Sequence, residues 1–340
     1  MKKTHVAAIA TAAALIVLAA AVALVQSPAA TGQLTVMGTD PPVTSSGVTD
    51  ATASYSSVYA HQAGSTMASG WTQIGGSGTL DLMASQGTAQ TMATSRVSAG
   101  SYDAFKFNVN SVKVVYQGQT YAATVASSTV TGTSQDQVQV ASNSTAAAIV
   151  DIRTFIVNTA SASSPQFVFS ATAEATGVPP QALASLSLNL GAVVDLSSQA
   201  WWSTFVAQTS TNLNVAASLS SSSLSLNLQN SGSASANVQE IIITPVSASS
   251  YGSASLPSSL SGSAIFAVAG PGAVQQSTAI QASSMLGGGA TVNSGSTGSL
   301  SYSGNIATNS VQASGIVQGQ QYIVTCIGAN TYASTTVVAS

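Results

Sequence analysis

Of the two histidines in the 340-residue chain, His5 lies at the extreme N-terminus and His61 alone stands in its body. Serine nucleophiles need a histidine base oriented by a carboxylate. His61, beside Tyr59, would have to be that base, and no Gly-x-Ser-x-Gly elbow presents a serine to it. Glycosidase chemistry needs two carboxylates facing each other across a cleft. The nine acids Asp40, Asp50, Asp81, Asp103, Asp136, Asp151, Glu174, Asp195 and Glu240 are scattered, and their spacing singles out no pair. Zinc is unsupported by one cysteine and one histidine. Calcium takes oxygen ligands from loops, and Asp40 and Asp50 bracket one, but without EF-hand spacing. Gly287-Gly288-Gly289 lacks the Lys-Ser/Thr of a phosphate loop and reads as a turn. The sequence therefore predicts no catalytic residue, no cofactor and no metal site: a non-enzyme.

Other residues offer contacts rather than catalysis. Asn143-Ser144-Thr145 is a glycosylation sequon, expected in an exposed loop. Trp71, Trp201 and Trp202 are the large aromatics that could stack on a ligand. The adjacent pair 201–202 is expected instead to pack two domains together. Arg96, Lys106, Lys113 and Arg153 are the only cations beyond the N-terminal segment. If buried, they should pair with Asp103, Asp151 or Glu174. Cys326 lies in an apolar run and reads as a buried, inert thiol that rules out an intramolecular disulfide.

The elements that must position these residues read as strands. Leu34–Val36, Phe105–Val109, Val112–Tyr116, Phe167–Phe169, Glu240–Thr244, Ile265–Val268 and Tyr322–Ile327 are apolar or alternating runs separated by turn residues. Gln117-Gly118-Gln119 and Gly328-Ala329-Asn330 are the clearest turns. One helix is expected over Asp195–Val206, capped by Asp195. The hexapeptide Ser-Leu-Ser-Leu-Asn-Leu occurs at 185–190 and again at 223–228. Its period of two places three leucines on one sheet face, so both copies are expected to be core strands. The predicted class is all-β, two antiparallel β-sandwich domains, residues 31–210 and 211–340. Residues 1–30 precede them as a signal peptide or membrane anchor: Lys2 and Lys3, then an apolar run from Val6 to Val25, then Ser27-Pro28-Ala29.

An ordered series of short signatures runs through the first domain. It comprises Gly32-Gln33-Leu34-Thr35-Val36, Thr39-Asp40-Pro41-Pro42, Val58-Tyr59-Ala60-His61, Gly70-Trp71, Leu80-Asp81-Leu82, Gly100-Ser101-Tyr102 with Phe105–Val109, Val114–Gly118 and Ile149–Ile152. This series resembles a family of secreted and cell-surface proteins of unknown function that is common in archaea. The resemblance implies an immunoglobulin-like or prealbumin-like sandwich outside the cell and carries over no catalytic residue. The second domain is similar in style to the C-terminal sandwiches of archaeal surface and pilus-type subunits. Some archaeal filaments polymerise when an N-terminal strand of one subunit completes the sheet of the next. Leu34, Thr35, Val36 and Met37 occupy that place here.

Charged residues make up 4% of the chain against 45% hydrophobic, far below the usual quarter. No Lys or Arg follows Arg153, and Glu240 is the only charge after Asp195. A nucleic-acid binder would need a basic patch, so that class is excluded. The expected role is a secreted, non-enzymatic structural protein of the cell surface, such as a filament or pilus subunit joined by N-terminal strand exchange, or an envelope component. Its expected partners are further copies or other surface proteins. An adhesion module for glycans or proteins is the alternative, and an extracellular hydrolase the third reading.

Overall fold

The computed structural model describes residues 30–39, 43–83, 87–125, 128–158, 163–209, 211–246, 255–256, 263–268, 284–288, 291–306, 315–328 and 331–340. The expected signal or anchor segment and Asp40 fall outside these. Among the described residues, no helix is long and apolar enough to cross a membrane.

The chain is mostly strand. β1 (Thr31–Thr39), β2 (Val43–Ser45), β3 (Val48–Gln62), β4 (Trp71–Gly75), β5 (Gly78–Asp81) and β6 (Thr88–Ser98) come first. β7 (Gly100–Tyr116), β8 (Gln119–Val125), β9 (Thr129–Val140), β10 (Thr145–Asn158), β11 (Phe167–Gly177) and β12 (Val193–Asp195) follow. They form one sheet in the order β12-β6-β1-β10-β11-β8-β7-β3-β4, with β2, β5 and β9 pairing alongside. The sheet curls until its ends meet. Gly75 of β4 lies so near β6 that a Cβ on it would fall 2.6 Å from Ala93 Cβ. Leu34, Val36, Phe105, Phe107, Val150 and Ile152 are among the side chains enclosed.

Pairing in this sheet is mixed, which corrects the expectation of purely antiparallel strands. β1 runs parallel to β10, and β11 runs parallel to β8 and β9. The reason is that β1 comes from far away in sequence and inserts between β6 and β10 rather than returning through a hairpin. Where hairpins do form, the local signals hold. Gln117 and Gly118 both have positive φ, 50° and 76°, as a tight two-residue β-turn between twisted strands requires. The two runs 105–109 and 112–116 belong to one long strand, β7, which pairs first with β9 and then with β8.

Strands β1 and β10 are buried on both faces. On β10, Ala146, Ala148 and Val150 point into the enclosed core, while Ala147 and Ile149 point outward into a second cluster. That outer cluster is covered by a 3₁₀ turn (Pro180–Ser185), by β12 and by α1 (Ala200–Thr209). The helix thus begins later than expected. Asp195 ends β12, and its carboxylate accepts bonds from the Ser197 N–H (2.8 Å) and hydroxyl (2.6 Å) in the turn before α1. Trp202 is buried and Trp201 partly buried in this cluster, whose members all lie between Met37 and Val206. Among the described residues, the tryptophan pair therefore packs a helix onto its own sheet, where it was expected to pack two domains together.

The second sheet comprises β13 (Leu213–Leu219), β14 (Ser223–Asn230), β15 (Ala236–Pro245), β17 (Ala264–Val268), β18 (Ser284–Gly288), β19 (Thr291–Val292), β20 (Thr297–Ser303), β21 (Gln321–Gly328) and β22 (Thr331–Val338). Its order is β13-β14-β20-β18-β17-β15-β21-β22, with β19 pairing β15. The two end strands approach each other, and the Ser340 N–H donates to Leu219 O at 2.9 Å. Leu224, Leu226, Leu228, Ile241, Phe266 and Cys326 lie in the core so enclosed. Gly287 and Gly288 are strand residues of β18 paired with β20, not the expected turn. The backbone hydrogen bonds of β20 hold them extended.

Only the second hexapeptide copy is a strand. In the first, Leu186 closes the 3₁₀ turn and Leu190 is 69% exposed, which corrects the expected pair of core strands. One further strand, β16 (Ser255–Leu256), lies between β15 and β17 in sequence but pairs with β2 of the first sheet.

Candidate functional site

The densest group of chemically capable side chains lies where β3, β4 and β7 meet. His61 faces Trp71 across the β3–β4 pair and Ala104 across β3–β7. It is 1% exposed. Its Nδ1 lies 2.6 Å from Asp103 Oδ1, and its Nε2 lies 3.0 Å from the Thr66 carbonyl. Both partners are pure acceptors, so the arrangement suits an imidazolium that donates on both sides. Burial pulls the His61 pKa down, but the bond to Asp103, the bond to Thr66 and the Asp103 charge outweigh it, and the value is raised. The Trp71 ring lies 4.9 Å from the imidazole. The Lys106 ammonium sits 4.0 Å from the Trp71 ring centre and 5.2 Å from that of Tyr59. The Trp71 N–H donates to Met67 O at 2.9 Å.

In this geometry His61 and Trp71 hold the loop between β3 and β4. A general base needs a ring nitrogen facing the proton it removes, and both nitrogens of His61 are already bonded to the protein. Trp71 is likewise occupied, with Lys106 over its ring. Asp103, the partner of His61, carried no local signal in the sequence: the two meet only because β3 and β7 pair.

The carboxylates fall into separate places. Asp151 and Glu174 are cross-strand neighbours on β10 and β11, beside Arg153. The Arg153 guanidinium is 3.6 Å from the buried Asp151 carboxylate, so the expected pairing with Arg153 is present. Burial raises the pKa of Asp151 against the opposing pull of Arg153, and raises that of Glu174 similarly, with Asp151 adding to the rise. Glu240 is the one acid of the second sheet. Protein crowds its carboxyl without a cation, and desolvation pushes its pKa up to about 7. Among the described residues, no group of three or more His, Cys, Asp or Glu side chains could hold a metal ion. Cys326 is buried, and burial pushes its thiol up to about 12, which leaves it protonated and inert.

Leu34, Thr35, Val36 and Met37, expected as an assembly strand, lie in the middle of their own sheet and are all at most 1% exposed. β1 pairs from Gln33 to Thr39 with β10 and from Thr31 to Gly38 with β6. At its start the fit is close, since a Cβ on Gly32 would collide with the Ala141 carbonyl oxygen. β2 continues along β10 in the same register, Thr39 facing Asp151 and Val43 facing Phe155. Asn143 is exposed in the β9–β10 turn with φ 55°, and its N–H donates to Thr31 O at 2.8 Å. The sequon therefore sits beside the start of β1.

An open depression of about 340 Å³ lies near Gly38, Leu80, Asp81, Gln90 and Val193. Its polar groups are spent on the backbone. The Gln90 amide donates to Thr79 O, and the Asp81 carboxylate accepts from the Met83 N–H.

A family model described as a domain of unknown function, DUF4382, matches residues 31–245. This chain belongs to the DUF4382 family. The DUF4382 match begins at the first residue of β1 and ends at the last of β15, so it takes in the first sheet apart from β16, its helical cover and three strands of the second. The His61 clamp, the Asp151–Glu174–Arg153 group and β1 all lie inside it. No curated protein matches the chain, and no solved structure does.

Proposed function

We propose that this DUF4382 protein is a secreted, non-enzymatic structural protein of the cell surface that assembles with further copies of itself by exchanging β1. In this reading residues 1–30 direct export, and the two enclosed cores are two sandwich domains of immunoglobulin-like or prealbumin-like type. The single observation that supports it most is the placement of β1. It is the first strand after the apolar N-terminal segment, it is central, and both its neighbours are distant in sequence. Such a strand can be supplied by another copy with no change in the pairing it makes.

The test is complementation. A chain lacking residues 31–39 should remain folded, lose any self-assembly, and bind a synthetic peptide of residues 31–39. The same peptide carrying Gly32→Val should not bind, because its side chain would meet the Ala141 carbonyl. Assemblies that persist in the deleted chain, or a deleted chain that ignores the peptide, would sink the exchange.

A further inference from the structure

The His61 cluster supports a second reading, independent of how the protein assembles. Residues 63–70 form the loop between β3 and β4. Its backbone is tied by the Gln62 N–H to Gly70 O (3.0 Å), the Ser65 N–H to Gln62 O (3.2 Å) and the Ser69 N–H to Thr66 O (2.8 Å). Two side chains reach in from the sheet: His61 to Thr66 O, and the Trp71 indole to Met67 O. Met67, at the tip, is 53% exposed, one of few large apolar side chains presented to solvent.

We propose that His61 is a proton-operated clamp: doubly protonated, it holds the 63–70 loop between Asp103 and the Thr66 carbonyl, and on losing a proton it releases the loop tip that carries Met67. The argument is one of valence. Asp103 and Thr66 offer only acceptor atoms to the ring, and a neutral imidazole has one N–H. The proton stays on Nδ1, 2.6 Å from a charged carboxylate. Nε2 then turns a lone pair toward the Thr66 oxygen at 3.0 Å, and an attraction becomes a repulsion. The groups facing His61 are few. From β7 come Asp103 and, over the Trp71 ring, Lys106; from β3 comes Tyr59; β4 contributes Trp71, and the loop contributes no charge. Of the titratable groups only Asp103 bonds the imidazole directly, and it favours the charged form. The raised pKa of His61 agrees in direction.

The sign of the pH effect follows. A histidine whose folded pKa is raised contributes stability that is complete below its unfolded value, near 6.5, and that fades as pH rises through the folded value. The loop should therefore be held below about pH 6.5 and released as pH rises above it.

Three measurements on the full chain decide the matter. Long-range ¹H–¹⁵N spectra should show both His61 ring nitrogens protonated at pH 6 and one proton lost at higher pH. The protection factor of the Ser69 amide, corrected for intrinsic exchange, should fall across the same midpoint while those of central β7 residues do not. Trp71 fluorescence, isolated by difference from Trp71→Phe, should rise there as the quenching imidazolium disappears. In Asp103→Asn all three transitions should move together to lower pH. His61→Gln, which keeps one donor and cannot titrate, should show no transition in Ser69 protection or Trp71 emission. If His61→Gln does not fold, the wild-type and Asp103→Asn titrations suffice. A singly protonated His61 at pH 6, or a Ser69 amide whose protection ignores the titration, would overturn the clamp.

Discussion

The two copies of Ser-Leu-Ser-Leu-Asn-Leu are identical in sequence and opposite in fate. At 223–228 the hexapeptide lies in β14 between β13 and β20, with Leu224, Leu226 and Leu228 all at most 1% exposed. At 185–190 it begins inside the 3₁₀ turn that follows Pro179 and Pro180 and runs into Gly191 at φ 76°. Its leucines there pass from buried Leu186 through half-buried Leu188 to exposed Leu190. Alternation permits a strand; a flanking edge on each side makes one. The first copy has a helical entrance, a left-handed exit and no ladder partner; it is held by local turn bonds and by the Thr94 hydroxyl donating to Leu188 O at 3.1 Å.

The same contrast extends to the regions around the copies. The first sheet gathers the ion pairs, the titrating histidine and a helical cover. The second encloses its core with hydroxyl and amide side chains outside and one acid, Glu240. The largest expected difference comes from truncating equivalent leucines. Leu226→Ala should cost about 2–5 kcal/mol, whereas Leu188→Ala should cost about half as much or less, because Leu188 is only partly buried; calorimetric unfolding of both variants reads the difference. Equal losses would mean that the first copy is as well packed as the second.

Next comes Glu240→Gln. The carboxyl is raised from 4.5 to about 7, so the folded second sheet pays to ionise it as pH climbs through that interval. The variant should gain roughly 3 kcal/mol at pH 8 and nothing at pH 4, leaving the second region nearly indifferent to pH. The first region should still lose stability as pH rises above the ordinary carboxylate and imidazole values, since Asp151, Glu174 and His61 are all raised. Thermal scans across that range in wild type and Glu240→Gln separate the two contributions. Smallest of all is Leu190→Ser, expected to lie within about 0.5 kcal/mol of wild type; a larger loss would show that this leucine is covered in the working protein.

Much of the strand content was legible because hydrophobic runs and turn residues act locally. Leu34–Val36, Phe167–Phe169, Glu240–Thr244, Ile265–Val268 and Tyr322–Ile327 all fall in strands, and Gln117-Gly118 turns as its types require. What escaped was long-range. The parallel pairing of β1 with β10 joins residues no local pattern connects. Its trace was present in Ala146-Ala147-Ala148-Ile149-Val150, an unbroken apolar run of the kind that a strand buried on both faces shows. The helical cover over Met37 and Ile149 escaped for the same reason. The meeting of His61 with Asp103 depends on the β3–β7 register, and Arg153 with Asp151 was readable because the two share one strand face.

The placement of β1 also has a consequence in time. The strand emerges first from the ribosome, yet β6 and β10 complete its slot only after Asp151 has been made. Contacts of such sequence separation form late, because the intervening chain must first be closed into a loop. During that interval the rest of the sheet can form around a vacant groove while the strand that fits it is still waiting. If β1 is exchanged as proposed, whichever copy arrives first, its own or a neighbour's, decides whether folding ends in a closed monomer or the first link of a chain.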